Sequence, residues 1–560
     1  MTASNDWRVA KGSRTPAGGK GLAMETHDHL STSRFRRPVL RALAAASLLL
    51  VIPSPAHAAS NMTLRLVTPG TLGDLDPASE QDYSSDTIAR NIEETLVGFS
   101  GAAMDKYRPV LATSWSSNAD QSVWTFHLRH GVTFHTGRCC MTADDVKYSI
   151  GRTVTAGLGG SYLYSRFINN PAKQIVVVDP YTVRFDLARS QPAFLAALTS
   201  EYVGLILDAK AARAHEDKKT HDAHAWITNN DIGTGPYKLQ RWQRGTEVVL
   251  QRFPGYWGGW SGSHFSTIIV DTVPDSATRR EQVERGTADI TFNLTPQDYK
   301  ALSGNSALQV TAPYATEVDY IIMTEAGPLK SPLARQALSY AFNYDAYIQG
   351  LLGGYGKRAY GPIPSALLGY DPAGFKYQTD LNKARALLQQ AKVQPGTTLT
   401  YAYGSNGAQA GQILQAQLAQ IGITLKQQHL SDPAFSSMFF GSGAAASRPN
   451  LMFQTWWPDY NDPYDMTSNL IYSKAVGAAG ANGGYYANKT VDSLLDAMKT
   501  ADRGTLTRDG KQLQNITTQQ DPAAIWVAEP AQVVVLGKRV KGYVSNPIEL
   551  HTFGFYSLHM

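Results

Sequence analysis

The sequence predicts a mixed α/β chain carrying a strand-rich insertion near residues 95–230. Three observations predict it. Short runs of apolar–polar alternation, bounded by Gly, Pro and Asp, recur through the first half. From about residue 275, capped helical stripes alternate with such runs. The length of 560 residues, 43% hydrophobic and 17% charged, suits a globular protein of two or more domains.

Taken in order, "TLRLVT" (63–68) alternates like a strand and runs into the turn-rich "PGTLGDLDP". "VWTFHLRHGVTF", Val123 to Phe134, reads as two strands around His130-Gly131, a predicted hairpin. "MTADDVKYSIGR" follows as a helix. Thr142 is its N-cap, Asp145 completes a capping box, and Val146 and Ile150 make an apolar face. "QIVVVDPYTVRFDL" (174–187) is another strand pair. "GTGPYKLQRWQRGTEVVLQRF" (233–253) is a glycine turn leading into two more.

The second half is more helical. Ser331-Pro332 is an N-cap followed by proline at the first helical position. It opens a helix with the stripe Leu333, Ala337, Leu338 and Ala341. Asp380 caps a second helix, "LNKARALLQQA". A third, "AGQILQAQLAQIGI", ends at Gly422 before the strand "TLKQQH", and "TVDSLLDAMKTA" is a fourth. "AIWVAEPAQVVVLG" supplies late strands. No internal repeat or low-complexity linker interrupts this order.

Charge is unevenly placed. The first 58 residues hold eight Lys/Arg and three acids, and the remainder is balanced at 43 of each, so no basic face for nucleic acid is expected. The basic segment reads as an export signal: "RFRRPVLR", then the apolar run Ala42 to Ile52, then Ala56-His57-Ala58 as a small-x-small cleavage site. That run is too short to span a bilayer. Cleavage near Ala58 is expected to release a soluble periplasmic protein. Met24 is an alternative start, Arg36-Arg37 is a weak twin-arginine signal, and no lipobox cysteine follows the apolar run.

Cys139 and Cys140 are the only cysteines. Neighbouring thiols cannot by themselves build a disulfide framework or a zinc site. They read as two small, half-buried residues, with a vicinal disulfide as the alternative. His215, His221 and His224, in "AHEDKKTHDAH", are the one histidine cluster, and its polarity marks it as a solvated surface segment. No G-x-S-x-G, H-E-x-x-H or G-x-x-x-x-G-K-[ST] pattern occurs, so neither an enzyme nor a cofactor is expected.

"WWPDYNDPYD", Trp456 to Asp465, packs two tryptophans, three acids and two prolines into ten residues. Proline fixes its own φ and restricts the residue before it, so the stretch is a rigid loop. Such loops often carry binding residues. The alternative is a loop whose tryptophans plug the core and whose acids are solvated.

Several stretches together resemble the extracellular solute-binding proteins of ABC importers, the peptide/nickel-binding family 5. They are "LDP" (75–77), "RPVLATSW" (108–115), "TFHLRHGVTFHTG" with "TADDVKYSI" (125–150), "GTGPYKL" (233–239), "ARQALSYAFNYD" (334–345), "DLNKARALLQQA" (380–391), "QLAQIGI" (417–423), "WWPDYNDP" (456–463) and "VKGYVSNP" (540–547). They occur in family order across nearly the whole mature chain.

The resemblance implies a two-lobed periplasmic binding protein fold, a hinged clamp of the large type with an extra domain. After a leader over 1–58, lobe I takes 59–90, 231–305 and 525–560, domain II is the insertion 91–230, and lobe III spans 306–524. It implies a monomer that captures small peptides or peptide-like amines and delivers them to an inner-membrane ABC permease. In dipeptide-binding relatives an aspartate of the tryptophan loop pairs with the ligand's α-ammonium, and Asp459 matches it. Trp456, Trp457 and Tyr460 are candidate walls that exclude water or stack on a cation. Tyr83 is a further ligand-binding candidate. Asp462-Pro463 is expected to set the turn.

One departure stands out. Dipeptide-specific relatives carry an arginine for the ligand carboxylate just before the helix matching "QILQAQLAQIGI". Here "YGSNGAQAGQ", Tyr401 to Gln412, holds no Arg or Lys. A longer or modified peptide fits that absence. So does a non-peptide ligand: a nickel chelate, an opine-like conjugate or an oligosaccharide.

Overall fold

The protein is described by a computed structural model, which covers residues 62–79, 83–200, 203–477 and 480–560. The expected leader and its cleavage site lie outside the described residues.

Thr63–Thr68 is the central strand of a seven-stranded sheet. It pairs in parallel with Thr267–Thr272 and with Ile290–Phe292. Leu64 and Leu66 bury one face against Val270 and Phe555, while Val67 buries the other against Val283 and Leu302. A strand covered on both faces needs apolar residues on both, which explains why alternation breaks at Val67. The strand pair Tyr237–Gln243 and Glu247–Arg252 completes one edge, as expected. The "GTGPY" glycines do more than turn the chain. A Cβ on Gly233 would lie 2.0 Å from the Ile92 carbonyl, and one on Gly235 2.5 Å from that of Asn91. Only glycine lets this loop close on the end of the helix Tyr83–Ile92.

The insertion builds a four-stranded antiparallel sheet in the order Ala112–Ser117, Val123–Leu128, Thr182–Asp186, Ile175–Asp179. The helix Ala143–Thr155 packs on it and carries the expected capping box, with the Thr142 N–H donating to Asp145 Oδ2 at 2.8 Å. The expected hairpin over Val123–Phe134 is not formed. Residues after Leu128 leave the sheet, and Gly131 takes a positive φ of 74°. Val132 and Phe134 are nevertheless fully buried, so their alternation reported burial on one side and not strand pairing. The hairpin partner of Val123–Leu128 is the preceding Ala112–Ser117. Cys139 and Cys140 are joined as a vicinal disulfide, the alternative reading and not the separate thiols expected.

A six-stranded mixed sheet runs Gly356–Arg358, Ala524–Pro530, Val318–Met323, Leu451–Trp456, Thr398–Tyr403, Thr424–His429. Helices Pro332–Ala341, Leu381–Gln390, Ala408–Gln420 and Lys489–Met498 match the four expected. The late strands split between sheets. Ala524–Pro530 joins the six-stranded sheet, and Val534–Gly537 joins the seven-stranded one beside Leu308–Thr311. The chain therefore crosses between the two sheets at 312–317 and at 531–533, a few residues beyond the expected divisions at 305/306 and 524/525. The crossings touch: the Gln532 N–H donates to the Pro313 carbonyl at 2.8 Å, and Tyr314 bridges Ala531.

Candidate functional site

Leu451–Trp456 pairs antiparallel with Val318–Met323, Trp456 opposite Val318, and releases the chain at the tryptophans. Pro458 stops the strand. Asp462 then caps the helix Pro463–Ile471, with extended φ and ψ and its side chain accepting from the Tyr464 N–H at 2.7 Å. This is the turn-setting role expected of Asp462. Asp465 Oδ2 accepts the Asp459 N–H at 2.7 Å, tying the loop to its own helix. Two of the three acids thus hold backbone, and Asp459 directs its side chain elsewhere.

The Asp459 carboxylate takes a 2.6 Å hydrogen bond from the Tyr162 hydroxyl, carried by the helix Ser161–Ser165 of the inserted unit. Asp459 and Trp457 line a small pocket of about 40 Å³ that is partly open to solvent. Its other walls come from Thr199 and Ser200 of the insertion, Asp86 of the N-terminal helix, and Glu549 and Leu550 of the C-terminal segment. The N-terminal helix, the insertion, the tryptophan loop and the C-terminal segment all contribute to it, the arrangement expected of a site between lobes.

The other candidates divide. Trp456 is half-buried and packs on the core beside the six-stranded sheet. Tyr460 does not wall the pocket. It is 1% exposed, seated in the core of the four-stranded sheet unit against Phe167, and its hydroxyl accepts from Arg166. An apolar ring offered a close-packed socket is buried there and is lost to a ligand. Tyr83 begins the helix Tyr83–Ile92, and its side chain lies outside the described residues. The histidine cluster is not one site: His215 stacks on Trp226, and His224 contacts Asp76 at 2.7 Å.

Sequence reasoning missed Arg166 and Tyr162. The Arg166 guanidinium lies 4.1 Å over the Tyr464 ring and 3.7 Å from Asp462 Oδ2, and its Nε has no hydrogen-bond acceptor among the described residues. Burial pushes the carboxyls of Asp462 and Asp465 up, the latter well above the usual carboxylate range, and the neighbouring Asp459 charge raises Asp465 further.

A family model described as bacterial extracellular solute-binding proteins, family 5 Middle, matches residues 106–478. The chain belongs to this family. Among family 5 proteins it is 30% identical to the "Probable D,D-dipeptide-binding periplasmic protein DdpA" of Escherichia coli K12, over 93% of this chain and 98% of the relative. It is 28% identical to the "Dipeptide-binding protein" of the same organism, over 80% and 85%. A solved relative is the "ABC transporter-associated periplasmic binding protein DppA from Helicobacter pylori in complex with peptide STSA", at 26% identity and a TM-score of 0.77, covering 89% of this chain and 98% of that one. These relatives are named as binding proteins, and the two-lobed α/β clamp of the family 5 type is the fold expected. Among the described residues no helix is long and apolar enough to cross a membrane.

Proposed function

We propose that the protein captures peptides bearing a free α-ammonium group in the periplasm and delivers them to an inner-membrane ABC permease. One observation carries the reading: Asp459 lines a pocket shared by the N-terminal helix, the insertion, the tryptophan loop and the C-terminal segment. A desolvated ammonium needs an ionised, hydrogen-bonded partner, and the carboxylate supplies it while Trp457 limits water. The names of the relatives, two dipeptide-binding proteins and one holding Ser-Thr-Ser-Ala, support the same ligand class. The proposal includes a monomer, a leader cleaved near Ala58, two lobes that pivot on the paired crossings 312–317 and 531–533, and binding without turnover.

The missing cation in Tyr401–Gln412 favours a second ligand class, amines whose carboxylate is absent, remote or modified, such as opine-like conjugates. A thermal-shift panel separates the readings. Ser-Thr-Ser-Ala, D-Ala-D-Ala and Met-Leu are expected to raise the melting temperature. No shift with any peptide, alongside a shift with an opine, a nickel–histidine chelate or a maltooligosaccharide, would replace the peptide reading.

A further inference from the structure

We propose that Tyr162 is a positioning residue for the ligand anchor and a latch between the inserted unit and the tryptophan loop. Its role as anchor support rests on the reading of Asp459 above, while the latch does not. Tyr162 is 43% exposed, and its hydroxyl donates a 2.6 Å hydrogen bond to Asp459 Oδ1 across the boundary between the insertion and the tryptophan loop. Tyr164, in the same short helix, is fully buried and donates to the Ala197 carbonyl, which fixes the helix itself.

Arg166 lies one helical turn beyond Tyr162, so the two side chains share a face. They grip the loop at adjoining points. Tyr162 takes Asp459, and Arg166 takes the Tyr460 hydroxyl and faces Asp462. The division of chemistry matters. Arg166 brings charge to the buried part of the loop. Tyr162 brings a neutral donor to Asp459, which orients the carboxylate without cancelling its charge. A lysine or arginine at 162 would neutralise the anchor before any ammonium reached it. The group proposed to hold the ligand is thus also a group that ties the loop to the opposite unit, so ligand capture and closure share one side chain.

Tyr162→Phe removes only the hydroxyl and leaves the exposed ring. Two measurements test the inference. Small-angle scattering of protein stripped of ligand by unfolding and refolding is expected to show a larger radius of gyration for Tyr162→Phe than for wild type. The closed-to-open ratio should fall about tenfold or more, the usual weight of a hydrogen bond to a charged group. Calorimetric titration with Ser-Thr-Ser-Ala and its N-acetyl form is expected to show weaker binding of the free amine by Tyr162→Phe, and a smaller loss for the acetylated peptide. A merely structural defect would weaken both equally. An unchanged radius of gyration overturns the latch. Unchanged free-amine affinity, or equal losses for the two peptides, overturns the positioning role. Wild type that fails to prefer the free amine overturns the Asp459 reading instead, and the scattering result still judges the latch.

Discussion

Asp459→Asn keeps the size and shape of the anchor and removes its charge. Breaking a buried, hydrogen-bonded charge pair at an interface costs on the order of 2–5 kcal/mol. The structure sets the expectation near the lower end. Asp459 is only half-buried, and Tyr162 already donates to one of its oxygens, so water and a neutral partner soften the loss. About 2–3 kcal/mol corresponds to roughly a 30- to 150-fold weaker affinity. N-acetylating Ser-Thr-Ser-Ala should cost wild type a similar factor and cost Asp459→Asn much less, because each change removes the same pair. Isothermal titration of both proteins with both peptides measures the cycle. Unchanged affinity in the variant, or equal acetylation losses in both, would refute the anchor and return Asp459 to a structural role.

Asp462→Ala removes the N-cap of Pro463–Ile471 and should lower stability by about 0.5–2 kcal/mol in denaturant titration, with a smaller effect on peptide affinity than Asp459→Asn. Gly235→Ala forces a methyl within 2.5 Å of the Asn91 carbonyl and should destabilise by on the order of 1–3 kcal/mol, read as a lower melting temperature with the wild-type preference for the free amine retained. Burial raises Glu317 to about 8 and Asp319 to about 6, so the folded state holds protons that the unfolded chain releases near 4–4.5. Their stabilising contribution is present below that range and lost as pH rises through 6 to 8. The melting temperature should therefore fall between pH 5 and pH 8, and Glu317→Gln should flatten the upper part of that slope.

Much of the fold was legible because its signals were local. The Thr142–Asp145 capping box, the Ser331-Pro332 helix start and the Asp380 cap each act within one turn of chain, and each appears as read. The hairpin after Leu128 failed because alternation reports which side chains are buried, and Val132 and Phe134 reach the core without pairing. The stretch "WWPDYNDPYD" was read as one loop, whereas Trp456 ends a strand, Pro463 to Asp465 open a helix, and Asp462, read as the turn, is that helix's N-cap. The fates of Trp456, Tyr460 and Trp457 were not legible, since each is decided by a surface distant in sequence: Tyr460 by the socket at Phe167, Trp457 by the pocket wall at Thr199. Tyr162 and Arg166 were invisible for the same reason. "SYLYSRF" has no motif of its own, and its meaning comes from facing the loop nearly 300 residues later.

Under the proposed function, the placement of the loop would let a single carboxylate govern a whole clamp. Trp456 stands opposite Val318 in the strand ladder, and Val318 directly follows the crossing 312–317 that joins the two large sheets. Asp319, next in the strand, accepts from Thr455 Oγ1 at 2.7 Å and from the Tyr347 hydroxyl at 2.9 Å, which locks the base of the loop to the start of the six-stranded sheet. The second crossing is hydrogen-bonded to the first through Gln532 and Pro313. The loop is tied to this ladder and to its own helix, so under the proposed function a pull on Asp459 would reach the crossings that connect the sheets. A ligand shifts such an equilibrium by no more than its differential affinity for the closed form. Under the proposed function Asp459 would provide that difference, since an ammonium held there would be desolvated only with the walls from the insertion and the C-terminal segment around it.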